Sequence, residues 1–231
     1  EAAAGTEAPS GGETSTGTAV AQGGATPEVS STAPVSGTVE TAAVGVVQGQ
    51  VTNASEGDPA PGAEVTLHGF DQMNLATTLT TTVDENGVFP FEDVEMPEGR
   101  AFLVTLEYQG ATYGSDLGVV QAGSNRVDLP VTVYDTTTDA SSLAVDRLHL
   151  FFEFVDEKTV RVIEFYIVNN PSTKTVVSPG DGQPTLTYAL PEGYTNLQFQ
   201  DGAIGDRYVQ TPDGFGDTLA IRPGATRSPR R

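Results

Sequence analysis

Between Val44 and Val133, apolar side chains recur at every second position in short runs, and this alternation limits the fold more than any other feature of the chain. A period of two places one face of a strand in a core and the other in solvent. Seven such runs, with turn residues between them, predict an antiparallel β-sandwich over residues 44–134. The residues predicted to form its core are Val65, Leu67, Phe89, Phe91, Val104, Leu106, Leu129 and Val131.

A short turn, Asp84–Gly87, separates two of these predicted strands, Thr77–Val83 and Val88–Val94. Asp, Asn and Gly favour tight turns, because Asp and Asn bond to nearby backbone and Gly accepts a positive φ. We therefore predict that the two strands pair with each other as a hairpin.

The first 43 residues have a different composition, dominated by Ala, Gly, Thr, Ser and Pro, and contain no aromatic residue. Such a segment buries too little apolar surface to offset the entropy lost on ordering. Residues 1–43 are therefore predicted to be a low-complexity arm. It is a flexible linker, an O-glycosylated stalk, or a segment that a neighbouring subunit orders by strand pairing.

Charge excludes two classes of partner. The chain has 31 acidic and 11 basic residues, for a net charge of −20, and the first basic residue from the amino end is Arg100. Nucleic acids and anionic lipid surfaces are bound mainly through Lys and Arg. We therefore expect neither partner, and we interpret the acidity as a source of solubility and self-repulsion.

Three further features bear on secretion, membrane spanning and disulfides. The start Glu1-Ala2-Ala3-Ala4 fits a chain whose signal peptide has been removed. No run of 18 apolar residues occurs, so we expect no membrane span. Cysteine is absent, which excludes disulfides and thiolate metal sites.

The remaining residues predict a second β-domain. Residues 135–142 are predicted to be a linker, residues 143–222 the domain, and residues 223–231 a basic tail. Together with the first domain this gives an all-β chain of two antiparallel sandwiches in tandem after the arm. The strands predicted after the first hairpin lie near Thr185–Leu190, Asn196–Gln200, Arg207–Gln210 and Thr218–Arg222.

The most apolar part of this second region is its first hairpin, Leu143–Val155 followed by Thr159–Asn169. Both of its faces are apolar, whereas a small antiparallel sheet normally keeps one polar face. The row predicted to point inward is Leu148, Leu150, Phe152 and Phe154. Because the chain runs short of strands, we predict that another subunit, the first domain or the arm covers the opposite face, whose candidate interface residues are Phe151, Val155, Ile163, Phe165 and Ile167.

Three segments of the first domain carry a resemblance to a known family: Gly49–Asn53, Pro61–Leu67 and Thr82–Phe91. Together they resemble a carboxypeptidase-regulatory-like or Cna-B-type domain, a transthyretin-like sandwich of secreted proteins. The resemblance implies a scaffold or stalk. It does not extend to the Lys–Asn isopeptide bond of some Cna-B domains, because the only two lysines, Lys158 and Lys174, lie outside the domain.

A second resemblance lies in the second domain. It rests on Leu190–Gly193, Asn196–Gly202, Asp206–Tyr208 and Thr211–Phe215. These segments are similar to a module of membrane-anchored extracellular proteins from filamentous phototrophic bacteria, and that module implies further strands beyond Ile221.

Catalytic and metal chemistry have few candidate residues. The two histidines, His68 and His149, fall on separate predicted strands, and no glycine-flanked serine forms a nucleophile elbow. Paired carboxylates such as Asp84 and Glu85 lie mostly in turns. A hydrolase that uses loop carboxylates stays an alternative, but we expect no enzyme and no tightly held cofactor. The candidate ligands for weak calcium binding are Asp201, Asp206, Asp213 and Asp217, in loops without EF-hand spacing.

Two features suggest a relation to carbohydrates. Tyr108 and Tyr113 flank a turn and are the candidate glycan contacts, because sugar platforms are usually aromatic. Asn53 opens the sequon Asn-Ala-Ser and is the candidate glycosylation site. A carbohydrate-binding module is therefore an alternative to the leading expectation, a non-enzymatic extracellular protein for spacing, adhesion or filament-type assembly, with partners that are other copies of itself or neighbouring surface proteins.

Overall fold

A computed structural model describes residues 43–224, and in this range the protein is an all-β structure of several mostly antiparallel sheets. The helical content of these residues is one short 3₁₀ turn, Ala140–Ser142. No helix among them is long and apolar enough to cross a membrane. The predicted arm (residues 1–43) and basic tail (residues 223–231) lie outside the described residues, apart from residues 43, 223 and 224.

Nine strands build the first part of the chain, where seven were predicted. They are β1 (Val44–Asn53), β2 (Glu64–Asp71), β3 (Asn74–Thr82), β4 (Val88–Glu95), β5 (Ala101–Tyr108), β6 (Ala111–Gly114), β7 (Gly118–Val119), β8 (Arg126–Asp128) and β9 (Val131–Val133). The last predicted strand is two strands, because Pro130 lacks the N–H that a continuous ladder needs.

Two sheets face each other across one core. The first sheet has the order β4-β1-β8, with β9 also paired to β1, and the second has the order β3-β2-β5-β6, with β7 paired to β5. All eight residues predicted to be core are buried, none more than 4% exposed. The period-two alternation therefore assigns the inner faces correctly, and the sandwich is confirmed.

The pairing inside the sandwich differs from the prediction in two places. The Asp84–Gly87 turn does not close a hairpin between β3 and β4, because β3 pairs with β2 and β4 pairs with β1. The turn is a corner between the two sheets, held by Asp84, whose carboxylate accepts from the backbone N–H groups of Asn86 (2.8 Å) and Val88 (2.7 Å). In addition, β8 and β9 run parallel to β1.

Gly49 on β1 allows this parallel strand to approach. A Cβ at this position would lie 2.1 Å from the carbonyl oxygen of Leu129 and 2.4 Å from the ring of Phe89. Both distances are far below van der Waals contact, so the inward row of β1 needs a glycine here.

Seven shorter or more isolated strands follow the sandwich. They are β10 (Thr136–Thr137), β11 (Ala144–Phe154), β12 (Val160–Asn169), β13 (Thr175–Val176), β14 (Leu186–Ala189), β15 (Tyr208–Thr211) and β16 (Gly214–Asp217). They form three separate small sheets, β10-β13, β11-β12 and β14-β16-β15. The second sandwich predicted for residues 143–222 is therefore not confirmed, and the predicted linker contains β10.

The sheet β14-β16-β15 carries a small aromatic core. Tyr188, Tyr208 and Phe215 are buried there, and Phe199 stacks on Tyr208 with ring centroids 3.8 Å apart. The segment Asn196–Gln200, predicted to be a strand, has no ladder and supplies Phe199 from a loop. The central strand β16 was missed, because its alternating Gly residues mask the strand pattern.

The chain then returns to the sandwich, so residues 43–224 belong to one compact unit. Val176 of β13 forms a bridge with Ile221, and Asn170, which is fully buried, donates to the Lys174 carbonyl (2.7 Å) and the Ile221 carbonyl (2.8 Å). Ile221 makes only this bridge, so the predicted strand Thr218–Arg222 is not formed. These contacts hold the end of the described chain to β13, and Val177 and Ala220 pack against the sandwich core.

Candidate assembly surface

The β11–β12 hairpin is the part of the described structure with the most exposed apolar surface. Its strands pair in antiparallel register from Ala144↔Asn169 to Phe154↔Val160, with a bulge between Val145 and Arg147. This is a sheet of two strands, and no other described strand extends it. Two-stranded hairpins are marginally stable in water unless a face or an edge is covered.

Exposure along the hairpin rises towards its turn. Every residue of β11 is exposed, and the exposed fraction increases from 44% at Leu148 to 60% at Phe152 and 80% at Phe154. On β12, Val160 and Val162 are exposed, while Val168 is only 1% exposed. The hairpin is therefore anchored at the Val168 end and projects with its turn end uncovered by described residues.

The two faces of the hairpin follow from the register. The Phe152 face carries Leu148, Leu150, Phe152, Phe154, Val160, Val162, Glu164 and Tyr166. This face was predicted to be inward along β11, and that prediction is wrong, because every residue of β11 is exposed. On this face, the covered part lies around Tyr166 of β12. The Tyr166 ring packs edge-on against the Tyr188 ring, with centroids 4.7 Å apart.

The opposite face, the Phe151 face, contains the residues predicted to form an assembly interface. Phe151 is 55% and Val155, just beyond β11, 52% exposed, whereas Ile163, Phe165 and Ile167 are half-buried. Phe151 and Phe165 meet edge to face with centroids 5.6 Å apart. The uncovered apolar surface is thus larger on the Phe152 face than on the face chosen from the sequence.

Charged residues punctuate the Phe151 face. Arg147 and Glu153 lie at opposite ends of β11, three residues on either side of Leu150. Glu153 pairs across the hairpin with Arg161, with 2.7 Å between the carboxylate and the guanidinium. Both partners of this pair are exposed, so the pair itself contributes little to stability.

The four aspartates proposed for calcium do not assemble into a metal site. Arg207 stands between two of them: its guanidinium forms ion pairs with Asp201 and with the buried Asp217. A guanidinium neutralises the carboxylates that a cation would need. Within residues 43–224, no group of three or more His, Asp or Glu side chains is arranged to hold a metal ion.

The two tyrosines proposed to contact glycans do not form an aromatic platform. Tyr113 is 1% exposed, and its hydroxyl hydrogen-bonds with the Tyr134 carbonyl and the Thr175 hydroxyl, each at 2.9 Å. Burial raises the pKa of its phenol, and the guanidinium of Arg222 covers its ring at 5.1 Å. Tyr113 is therefore a core residue, and Tyr108 beside it is half-buried.

The proposed glycosylation site is occupied by protein contacts. Asn53 ends β1, and its amide nitrogen donates to the Asp58 carbonyl (3.0 Å) and to the Asp135 carboxylate (2.9 Å). A glycan would replace one of the two hydrogens on this nitrogen, so at least one of these bonds would be lost. The sequon thus serves as a structural corner, where Asn53 joins the sandwich to the start of the following segment.

Among the described residues, the histidines and carboxylates form no catalytic pair that the geometry supports. His68 lies on β2 with its Nε2 3.0 Å from the Thr105 hydroxyl, and His149 lies on β11 opposite Phe165. Glu64 and Glu107 line an open depression of about 330 Å³ on the outer face of the β2–β5 sheet. Two carboxylates on an open face lack the enclosed cleft in which a pair of acids would hold a substrate between them.

No known protein-family model matches this chain. No curated protein matches it either.

Proposed function

We propose that this protein is a non-enzymatic structural protein of the cell exterior that joins neighbouring subunits through the β11–β12 hairpin. One observation carries the proposal: both faces of the hairpin present large apolar side chains to solvent, and the exposure reaches 80% at Phe154. Contiguous exposed apolar patches are rare on monomeric proteins and mark interaction sites. The large apolar side chains on both faces of the hairpin are therefore consistent with an interaction site.

The rest of the chain supports a scaffold. The sandwich is well filled, with a core of twenty buried apolar residues in the described range, and its resemblance to transthyretin-like domains implies a stalk or spacer. A net charge of −20 keeps such a protein soluble and limits association to surfaces that gain enough apolar burial to overcome repulsion. An extracellular location belongs to the same proposal.

The two alternatives have less support. A carbohydrate-binding module would use Tyr108 and Tyr113, but Tyr113 is buried. A hydrolase would use a pair of loop carboxylates, and the aspartates around Arg207 are engaged in ion pairs instead. Neither alternative explains why the hairpin is apolar on both faces.

Sedimentation velocity of the full chain over a wide range of concentration tests the proposal. The hairpin variant Leu148→Ser with Phe152→Ser is compared with a control, Met73→Ser with Leu75→Ser, which removes two apolar side chains that are just as exposed, 95% and 60%, on the sandwich. We expect the wild type and the control to associate. The hairpin variant should bind at least roughly tenfold more weakly, since each tenfold change corresponds to about 1.4 kcal/mol and each buried apolar side chain contributes about 1.5–3 kcal/mol.

Two results would contradict the proposal. A wild-type chain that stays monomeric at every concentration would do so, because the exposed hairpin would then have no role in self-assembly. Equal association of the hairpin variant and the control would show that some other surface of the protein joins the subunits.

A further inference from the structure

The outer edge of β11 is a long unpaired strand edge. Within residues 43–224, β11 pairs only with β12, so the backbone groups along its other side have no ladder partner. Unpaired edges are templates for another strand, and proteins usually guard them with proline, lysine or a bulge. The stretch from Arg147 to Val155 has no proline and no lysine. The bulge of β11 lies between Val145 and Arg147, outside this stretch.

We infer that the occupant of this edge is the same strand of a second copy, paired antiparallel about a two-fold axis at Leu150. This inference rests on the proposed function, since it names the partner and the register of that same hairpin. A symmetric antiparallel pair places residues at equal distances from the axis directly opposite each other. The pairs follow directly from the sequence of β11.

In this register Arg147 and Glu153, two of the three charged residues of β11, complement each other, while the third, Asp146, lies in the bulge. Arg147 is opposite the partner subunit's Glu153, and Glu153 is opposite the partner subunit's Arg147, so each dimer gains two opposite-charge pairs. Glu153 then lies between Arg161 of its own hairpin, 2.7 Å away, and an arginine of the partner. Opposite charges directly across a ladder stabilise a sheet, and like charges destabilise it.

The apolar positions complement each other in the same register. Leu148 is opposite the partner subunit's Phe152, and Leu150 is opposite its own copy. Leu148, Leu150 and Phe152, exposed by 44%, 46% and 60%, thus gain cross-strand contacts with equivalent residues. The result is a four-stranded sheet with the order β12-β11-β11-β12.

Neighbouring registers lose this match. With the axis at His149, Arg147 would be opposite Phe151. With the axis at Phe151, Arg147 would be opposite Val155 and Glu153 opposite His149. Of the three axes, only the one at Leu150 pairs Arg147 and Glu153 with opposite charges.

A reciprocal charge exchange tests the register in the full chain. Arg147→Glu makes a homodimer with two pairs of facing carboxylates, and Glu153→Arg makes one with two pairs of facing guanidinium groups. Each variant alone should therefore dissociate at least roughly tenfold more readily than the wild type. In an equimolar mixture, the two acidic side chains of one subunit face the two arginines of the other, so the mixture should recover association to within about threefold of the wild type.

The control exchange uses Arg126→Glu and Asp128→Arg, which change an equally exposed ion pair on β8 of the sandwich. Neither control should alter association, alone or mixed. Near-ultraviolet circular dichroism of each variant verifies that the fold is retained. Sedimentation velocity with a fluorescent label on one variant measures the mixed species.

The outcomes separate this inference from the proposed function. Single variants that dimerise as well as the wild type, or a mixture that stays as dissociated as its components, would overturn the Leu150 register. If the Leu148→Ser, Phe152→Ser variant still weakens association in that case, the hairpin remains the assembly surface and only the pairing is wrong. A monomeric wild type would overturn both.

Discussion

The sandwich and the β11–β12 hairpin share the same strand chemistry but differ in burial. In the sandwich, the alternating residues of β2 and β5 are 0–2% exposed, because a second sheet lies across the core. In the hairpin, residues of equal size on β11 are all exposed, because no described sheet faces them. An alternating apolar row therefore indicates that a strand face should be buried. The rest of the fold determines whether another sheet of the same chain buries it.

The largest expected difference between the two regions comes from two matched truncations, Phe89→Ala in the sandwich and Phe152→Ala in the hairpin. Phe89 is fully buried, so its truncation should lower the free energy of unfolding by about 3–5 kcal/mol. Phe152 is 60% exposed, so its truncation should change the monomer by no more than about 0.5 kcal/mol. Urea unfolding at low protein concentration measures both. Equal losses would mean that the monomer buries the hairpin.

A second test addresses the join between the two regions. Tyr113→Phe removes a buried hydroxyl that links the sandwich to Thr175 and to the Tyr134 carbonyl. Loss of this hydroxyl should cost about 1–2 kcal/mol, because the buried Thr175 hydroxyl loses its partner. The control, Tyr194→Phe, changes a tyrosine that is 43% exposed and should be neutral. If Tyr113→Phe proves equally neutral in urea unfolding, the return segment is not held by this contact.

The smallest expected effect concerns ion pairs in the two regions. Asp71 accepts two hydrogen bonds from the nearly buried Arg100, and this hydrogen-bonding holds the pKa of Asp71 below its ordinary value of 3.8. A lowered pKa gives stability that is present above the ordinary value and is lost as the pH falls through the folded-state value. Asp71→Asn should therefore flatten the acid limb of a plot of urea midpoint against pH.

The hairpin supplies the comparison for this pH effect. Glu153→Gln removes the carboxylate of the exposed Glu153–Arg161 pair, and its acid limb should match that of the wild type, because exposed pairs contribute little. An acid limb that Asp71→Asn leaves unchanged would show that other carboxylates set the pH dependence of the sandwich.

The sequence predicted the structure correctly where a feature depends on neighbouring residues of one strand. Alternation identified the inward residues of β2, β4 and β5 and placed Val47, Gly49 and Val51 on one face of β1, since a period of two follows from strand geometry alone. It failed on pairing. The residues of Asp84–Gly87 favour a turn both in a hairpin and at a corner between two sheets. They therefore cannot show which of the two the chain forms.

The candidate sites failed for a related reason. The aspartates near Asp201 were grouped by their closeness along the chain, but Arg207, close to them in the same segment, neutralises two of them in the fold. Tyr113 flanks an exposed turn in the sequence, yet the chain returns sixty-two residues later to bury it with Thr175. A basic residue within a group of acids was the one sequence signal that argued against the calcium site.

The sequence by itself determined that this protein is all-β, which side chains of the sandwich face inward, and that the hairpin is apolar on both faces. These properties depend on the order of residues along a strand, because a pleated strand sends neighbours to opposite sides. Only the tertiary structure decided which strands pair, that the chain after the sandwich forms small sheets, and that no strand within residues 43–224 pairs with the outer edge of β11. Those properties depend on contacts between residues far apart in the chain, where many pairings satisfy the same alternation and the packing of the whole molecule selects one.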